Sequence, residues 1–277
     1  MIKTIVFKGG LGNQMFQYAF YLRLKSQIHH SIFLFDINQS QREHYGYELD
    51  KIFKIDSVIP IKGYKIQQKF FPFIRKVFKS VDQKLYCKYD ETCLKGGYPF
   101  VRYNGFWQSE DYFKPIEQKI RDAFVFREEL LSKKTKEEAL ILQNCDSVAI
   151  HVRRGDYLKL KHYGLCSITY YNEAISFMRG RVPNLKFVFF SDDIEWVKRH
   201  LKCDGASYVS RNRGKDSWQD MYLMSCCKHN IIANSTFSWW GAWLNSNKEK
   251  IVIAPKPWVD FSPDYDIVPK EWIRIKR

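Results

Sequence analysis

The 277 residues, 45% of them hydrophobic, supply a core for one large domain or two of about 140 residues, which excludes global disorder. A formal charge of +15 and a pI near 9.4 admit nucleic acid, an anionic membrane surface or a phosphorylated small molecule as partner. Seven cysteines, odd in number and without C-x-x-C spacing, signal neither a disulfide framework nor a zinc site and suit a reducing compartment. The N-terminus has no signal-peptide pattern, and no run approaches the roughly 20 apolar residues of a membrane span. A soluble, intracellular chain is expected, with peripheral membrane contact left open.

Residues 3–7 spell a strand, and Gly9-Gly10-Leu11-Gly12 a glycine-rich turn. Residues 13–28 then place Met15, Ala19 and Leu22, and Phe16, Phe20 and Leu24, at helical spacing. Residues 31–35 spell a second strand, ending at Asp36. This βαβ unit is close to a dinucleotide fingerprint. Met15, however, stands where the third glycine belongs and would obstruct helix–sheet packing, which counts against a nicotinamide-dependent oxidoreductase. The glycines either let the backbone approach some other ligand, with Asn13 offering an amide, or make a tight turn that Asn13 caps.

Residues 40–100 are harder to assign. Lys62, Lys65, Lys69, Arg75, Lys76 and Lys79 interleave with Tyr64, Phe70, Phe71, Phe73 and Phe78. The spacing predicts a basic amphipathic helix over 69–80, interrupted near Pro72. It is either a membrane-surface element or the solvated face of a small insert. Residues 105–108 end a strand, Ser109 begins a capped helix, and 128–143 form a helix exposed on one side. Residues 144–146 make the best boundary, giving domains 1–145 and 146–277.

Strands at 147–151, 186–190, 206–209, 230–233 and 251–254 then alternate with helices at 168–179, 193–201, 217–227 and 236–245. Such alternation predicts an α/β fold with a parallel, doubly wound sheet. With the N-terminal βαβ unit, the chain reads as two Rossmann-like domains facing across a cleft.

Three loops follow strands of the second half and should share one sheet edge, where open α/β sheets bind ligands. The first holds His151, Arg153, Arg154, Gly155, Asp156 and Tyr157. Paired arginines offer forked donors for phosphate oxygens, or they pair with the neighbouring acid. The second is Ser191-Asp192-Asp193. It reads as a divalent-cation site, as acceptors for a base or ribose, or as a helix cap. The third is Asn234, Ser235, Thr236, Phe237 and Ser238, where hydroxyls and N–H groups collect at a helix start. That suits an anion, beside ordinary capping. Trp239, Trp240 and Trp243 read as core. Nothing matches a nucleic-acid module, and the basic residues are scattered.

Four motifs carry a resemblance: GGLGNQMFQYAF (9–20), HVRRGDY (151–157), FFSDD (189–193) and NSTFSWWGAWLN (234–245). Together they span nearly the whole chain, and the chain resembles the bacterial α-1,2-fucosyltransferases of glycosyltransferase family 11. The resemblance implies a GT-B-like fold and inverting transfer of L-fucose from GDP-fucose to the 2-hydroxyl of a galactoside, with no cofactor and no obligatory metal. It assigns Arg153 to the donor diphosphate and Asn13, with Gly9, Gly10, Gly12 and Gln14, to the glycine loop of the acceptor-side domain. The donor site then comprises His151, Arg153, Arg154, Asp192, Asn234, Ser235, Thr236 and Ser238. Asp156 is the candidate base. A cytoplasmic enzyme of surface-glycan synthesis follows, peripheral on the inner membrane face and acting on a lipid-linked acceptor. Nucleic acid is not an expected partner.

Overall fold

The computed structural model describes residues 1–40, 44–55, 77–84, 86–160, 163–262 and 265–277. The chain divides into two compact units: Met1–Arg127 with Asp264–Ile267, and Glu128–Pro263 with Val268–Arg277.

The first unit is built on four parallel strands, β1 (Ile2–Val6), β2 (Ile32–Asp36), β3 (Lys79–Asp82) and β4 (Phe100–Asn104), in the order β2-β1-β4-β3. Central β1 puts Ile5 opposite both Phe35 and Tyr103, and all but its first residue are buried. The buried set includes the polar Lys3, whose Nζ donates to the Gly96 carbonyl at 2.9 Å. Helix α1 (Leu11–Gln27) makes the crossover to β2 and buries Met15, Phe16, Ala19, Phe20 and Leu24 completely. Two short helices follow, α2 (Leu49–Ile52) and α3 (Glu117–Ala123).

Most of the basic helix expected over 69–80 lies outside the described residues. Its last two residues instead open β3, an edge strand. Paired on one side only and largely exposed, β3 needs no apolar alternation and gives periodicity little to detect.

The second unit has six parallel strands: β5 (Ser147–Val152), β6 (Lys186–Ser191), β7 (Ser207–Val209), β8 (His229–Ile231), β9 (Val252–Lys256) and β10 (Ile273–Lys276). Their order is β10-β9-β8-β5-β6-β7. The chain thus builds outward from β5 in one direction, returns, and builds outward in the other. This is the Rossmann arrangement, with its switch point between β5 and β8. Strand alternation feeds two cores. Val148, Ile150, Phe187 and Phe189 face helix α5 (Ile168–Arg179). Ala149, Val188 and Phe190 face α4 (Lys133–Gln143) and α7 (Trp218–Cys226). Helices α6 (Ile194–His200) and α8 (Thr236–Leu244) complete the unit.

The boundary falls after Arg127, not at 145. Helix α4 buries Ala139 and Leu142 against Ala149, Leu223 and Met224, and Ser132 N donates to Gln219 Oε1 at 3.0 Å. The helix foreseen from 128 begins at Lys133, where Ser132 Oγ caps Thr135 N. The tryptophans of α8 are core, as expected: Trp239 and Trp240 have no exposure and Trp243 almost none. Among the described residues no helix is long and apolar enough to cross a membrane.

Candidate functional site

The carboxyl edge of the second sheet gathers the loops after β5, β6 and β8. Arg153 lies between two carboxylates, 2.8 Å from Asp156 Oδ1 and 3.1 Å from Asp192 Oδ2. Burial opposes its charge, but Asp192 and Asp156 outweigh that cost and raise its pKa. A guanidinium carries more N–H donors than these contacts use. Arg154 is fastened separately. Its backbone N donates to Asp192 Oδ1 at 2.9 Å, its Nε lies 3.3 Å from Asp193 Oδ2, and its guanidinium stacks 3.8 Å from the Trp196 ring. Asp193 Oδ1 also caps α6 through Trp196 N. Both oxygens of Asp192 are thus engaged by the arginine loop, and Asp193 serves one arginine and one cap. Among the described residues no three His, Cys, Asp or Glu side chains gather as metal ligands would.

Gly155 makes this geometry possible. A Cβ there would lie 2.7 Å from Asp192 Oδ2, so any side chain would push Asp192 off Arg153. His151 is the last residue but one of the buried strand β5, only 5% exposed and with its ring 5.9 Å from that of Phe237. Its carbonyl accepts from the Tyr171 hydroxyl, while its buried Nδ1 has no partner among the described residues. Burial, aided by Arg153, pulls its pKa down to about 3, so the imidazole is neutral.

The loop after β8 is divided in role. Asn234 Nδ2 donates to the carbonyls of Tyr163 and Gly164 at 3.0 and 3.1 Å, and its own carbonyl accepts from the Tyr157 hydroxyl. It braces the neighbouring loop. Ser238 is fully buried and its hydroxyl donates back to Ser235 O. Ser235 is the N-cap residue of α8, yet its side chain makes no capping bond, so the capping expected of residues 234–238 does not come from it. Ser235 and Thr236 therefore stand at the first turn of a nine-residue helix whose N–H dipoles favour an anion.

The first unit has its own switch point, between β1 and β4. Gly9 takes φ +75°, and a side chain there would collide with Asn13 Nδ2. Helix α1 starts at Leu11 with Gly10 as its N-cap, so Asn13 is not the cap; its Oδ1 accepts from Gln108 Nε2 at 2.7 Å. Gly12 is buried in the first turn of α1. Gln14 is fully buried and spent on structure. It donates to Gly9 O and Gly46 O and accepts from Glu48 N. Gln17, which carried no role in the sequence reading, joins Lys8 and Gly105 in the same way. Its signal was a polar residue on the buried side of an otherwise apolar helix.

Two parallel α/β units of this kind define a GT-B-type fold. The same fold is found in the solved structure of the fucosyltransferase NodZ from Bradyrhizobium, with a TM-score of 0.55, 12% identity, and coverage of 87% of this chain and 90% of that one. The family model for glycosyl transferase family 11 matches residues 1–276, and the chain belongs to that family. It is therefore a glycosyltransferase. An alpha-1,2-colitosyltransferase from Escherichia coli is 36% identical, over 97% of each chain. The galactoside alpha-(1,2)-fucosyltransferase 1 of Ateles belzebuth is 25% identical, over 98% of this chain and 74% of that protein.

Proposed function

We propose that this enzyme transfers L-fucose from GDP-fucose to the 2-hydroxyl of a galactoside, inverting the anomeric carbon and needing no metal. The observation that carries the reading is Arg153, held between Asp156 and Asp192 at the edge of a doubly wound sheet. Breaking the fucose–phosphate bond builds negative charge on the departing diphosphate. A guanidinium already fixed beside that position stabilises the charge without reorganising. Arg154 and the first turn of α8, at Ser235 and Thr236, hold the remaining phosphate oxygens. Neutral His151 contacts the nucleoside. Asp192 positions the arginines. The pairing of Asp192 and Asp193 with arginines, rather than with each other around a cation, supports the metal-free reading.

The acceptor hydroxyl must lose a proton. Asp156 is the base we assign, through whichever carboxylate oxygen faces the acceptor. The second unit holds the donor and the first, through Asn13, the acceptor side. The acceptor is a surface glycan under assembly, lipid-linked on the inner membrane face, where the basic chain makes peripheral contact. The name of the 36% identical relative supports a second transferred sugar, colitose, with the same linkage.

The test is turnover of GDP-fucose and of GDP-colitose with a β-galactoside in EDTA, with the product read by NMR. An α-1,2-linked product is expected. Another linkage, retention of configuration, or a product only with a divalent ion would each overturn the corresponding part.

A further inference from the structure

Trp196 has no part in the substrate contacts assigned above, yet Arg154 rests on it. The Arg154 guanidinium carbon lies 3.8 Å from the centre of the Trp196 ring. Its Nε lies 3.3 Å from Asp193 Oδ2, and its backbone N donates to Asp192 Oδ1 at 2.9 Å. The Nε edge of the guanidinium and one of its faces are thus occupied. Among the described residues its terminal nitrogens, Nη1 and Nη2, make no hydrogen bond. A guanidinium stacked on a ring still presents those N–H groups in its own plane.

The indole has supports of its own. Asp193 Oδ1 accepts from Trp196 N at 3.2 Å, so one carboxylate holds both the backbone under the indole and the guanidinium upon it. Asp193 N donates in turn to Ser191 Oγ at 3.0 Å. Trp196 is half-buried and packs on the core that includes Ile194 and Val197. The His200 ring stacks on it at 4.6 Å, tilted by 14°, and His200 Nδ1 lies 2.8 Å from the Trp196 carbonyl.

Core packing alone would be served by any large apolar side chain. A stacked arginine needs a π face. The two arginines of the loop differ in this respect. Arg153 lies between two carboxylates at 2.8 and 3.1 Å, with its nearest ring, Tyr157, 5.7 Å away. Arg154 has one carboxylate and a ring in contact. A second acid would compensate its charge, whereas an aromatic face restrains the side chain and leaves the charge for an anion. Freedom removed before the ligand arrives is not lost on binding.

We propose that Trp196 is a positioning residue: its ring seats the Arg154 guanidinium so that Nη1 and Nη2 meet an oxygen of the donor diphosphate already oriented. This rests on Arg154 holding phosphate oxygens, as proposed above, and adds what holds Arg154.

Calorimetric titration with GDP tests it on Trp196→Leu, Trp196→Phe, Arg154→Ala and the combination of Trp196→Leu with Arg154→Ala, with thermal midpoints measured beside it. Leucine fills apolar space but has no π face, and phenylalanine keeps one. Trp196→Leu should weaken GDP binding by about fivefold or more, and Trp196→Phe by no more than about twofold. Added to Arg154→Ala, Trp196→Leu should cost no more than about twofold further. Losses that multiply, or equal losses in the Leu and Phe variants, would mean that Trp196 acts through the fold, and the proposal fails. Full affinity in Trp196→Leu beside a deficient Arg154→Ala would sink it alone, leaving the reading of Arg154 intact. Full affinity in Arg154→Ala, or no binding of GDP by the wild type, would sink both. Should Trp196→Leu not fold, NMR of the wild type carries the test. The Arg154 Nε–H resonance, assigned by its absence from Arg154→Ala, should lie upfield in the ring current of Trp196 and stay there with GDP bound. A resonance without that shift, or one that loses it when GDP binds, would refute the seat.

Discussion

The two units solve one topological problem with opposite chemistry. Each has a parallel sheet with a switch point beside its first strand, and each places its distinctive loop there. In the first unit that edge is amide-rich: Asn13, Gln14, Gln17 and Gln108 bond to one another's loops, beside the charged Lys8, Asp36 and Asp82. In the second it is ionic, two guanidiniums against three carboxylates, with Arg153 at the centre. Amides are suited to hydroxyls, whose hydrogen bonds are directional and uncharged. Guanidiniums are suited to a leaving group whose charge grows as the bond breaks. The proposed transfer reaction would use that difference, with the donor at the ionic edge and the acceptor at the amide-rich one.

The largest effect should come from weakening the ionic edge at its centre. Arg153→Lys keeps the charge but loses the fork, and kcat should fall by about 10²–10³-fold with the thermal midpoint preserved. Steady-state kinetics with GDP-fucose would check this; near-normal turnover would put the leaving group elsewhere. Asp156→Asn removes two roles of one residue. Because Asp156 is the assigned base and a partner of Arg153, its loss should lower kcat by about 10²-fold or more in steady-state kinetics, and near-normal turnover would remove it from both roles. Gly155→Ala acts one step removed. Its Cβ must displace Asp192, and kcat should drop by about tenfold, chiefly through misplacement of Arg153.

Smaller effects test whether the bracing residues are structural. Asn234→Ala should cost about 1–3 kcal/mol in denaturant unfolding, because the Tyr163 and Gly164 carbonyls lose a shared donor. Each unit also holds one carboxyl with its pKa pushed up to about 7 by desolvation, buried Glu48 beside the glycine loop and half-buried Asp220 on α7. Unfolded carboxyls titrate near ~4. The folded protein therefore keeps protons the unfolded chain has lost, and the contribution of these two carboxyls to stability is full below about pH 4 and declines as pH rises to about 7. Glu48→Gln and Asp220→Asn should each flatten part of that decline. A curve unchanged by both would show that neither carboxyl is buried as described.

Local chemistry explains what was legible in sequence. Helix α5 spans residues 168–179 as read, because Ser167 caps it and its apolar spacing is regular. The buried central strands β1 and β5 announce themselves through the short apolar stretches Ile5-Val6 and Val148-Ala149-Ile150. The exposed edge strands β3 and β10 do not, since each is four residues long and packs on one neighbour. The arginine loop was found as chemistry, but its wiring was not. That Asp192 serves Arg153 across 39 positions, and Gln108 serves Asn13 across 95, depends on which strands lie adjacent. The domain boundary was misplaced for the same reason: α4 precedes the sheet it packs on, and only the buried contacts of Ala139 and Leu142 assign it.

The central claim is that the ionic edge binds a guanosine diphosphate sugar through Arg153. Calorimetric titration of the wild-type protein and Arg153→Lys with GDP, GDP-fucose, GDP-mannose and UDP-galactose, in EDTA, tests it most directly. The account predicts micromolar binding of GDP and GDP-fucose by the wild type and a loss of about tenfold or more in the variant. Binding of UDP-galactose instead, binding that requires a restored divalent ion, or equal affinity in Arg153→Lys would contradict it.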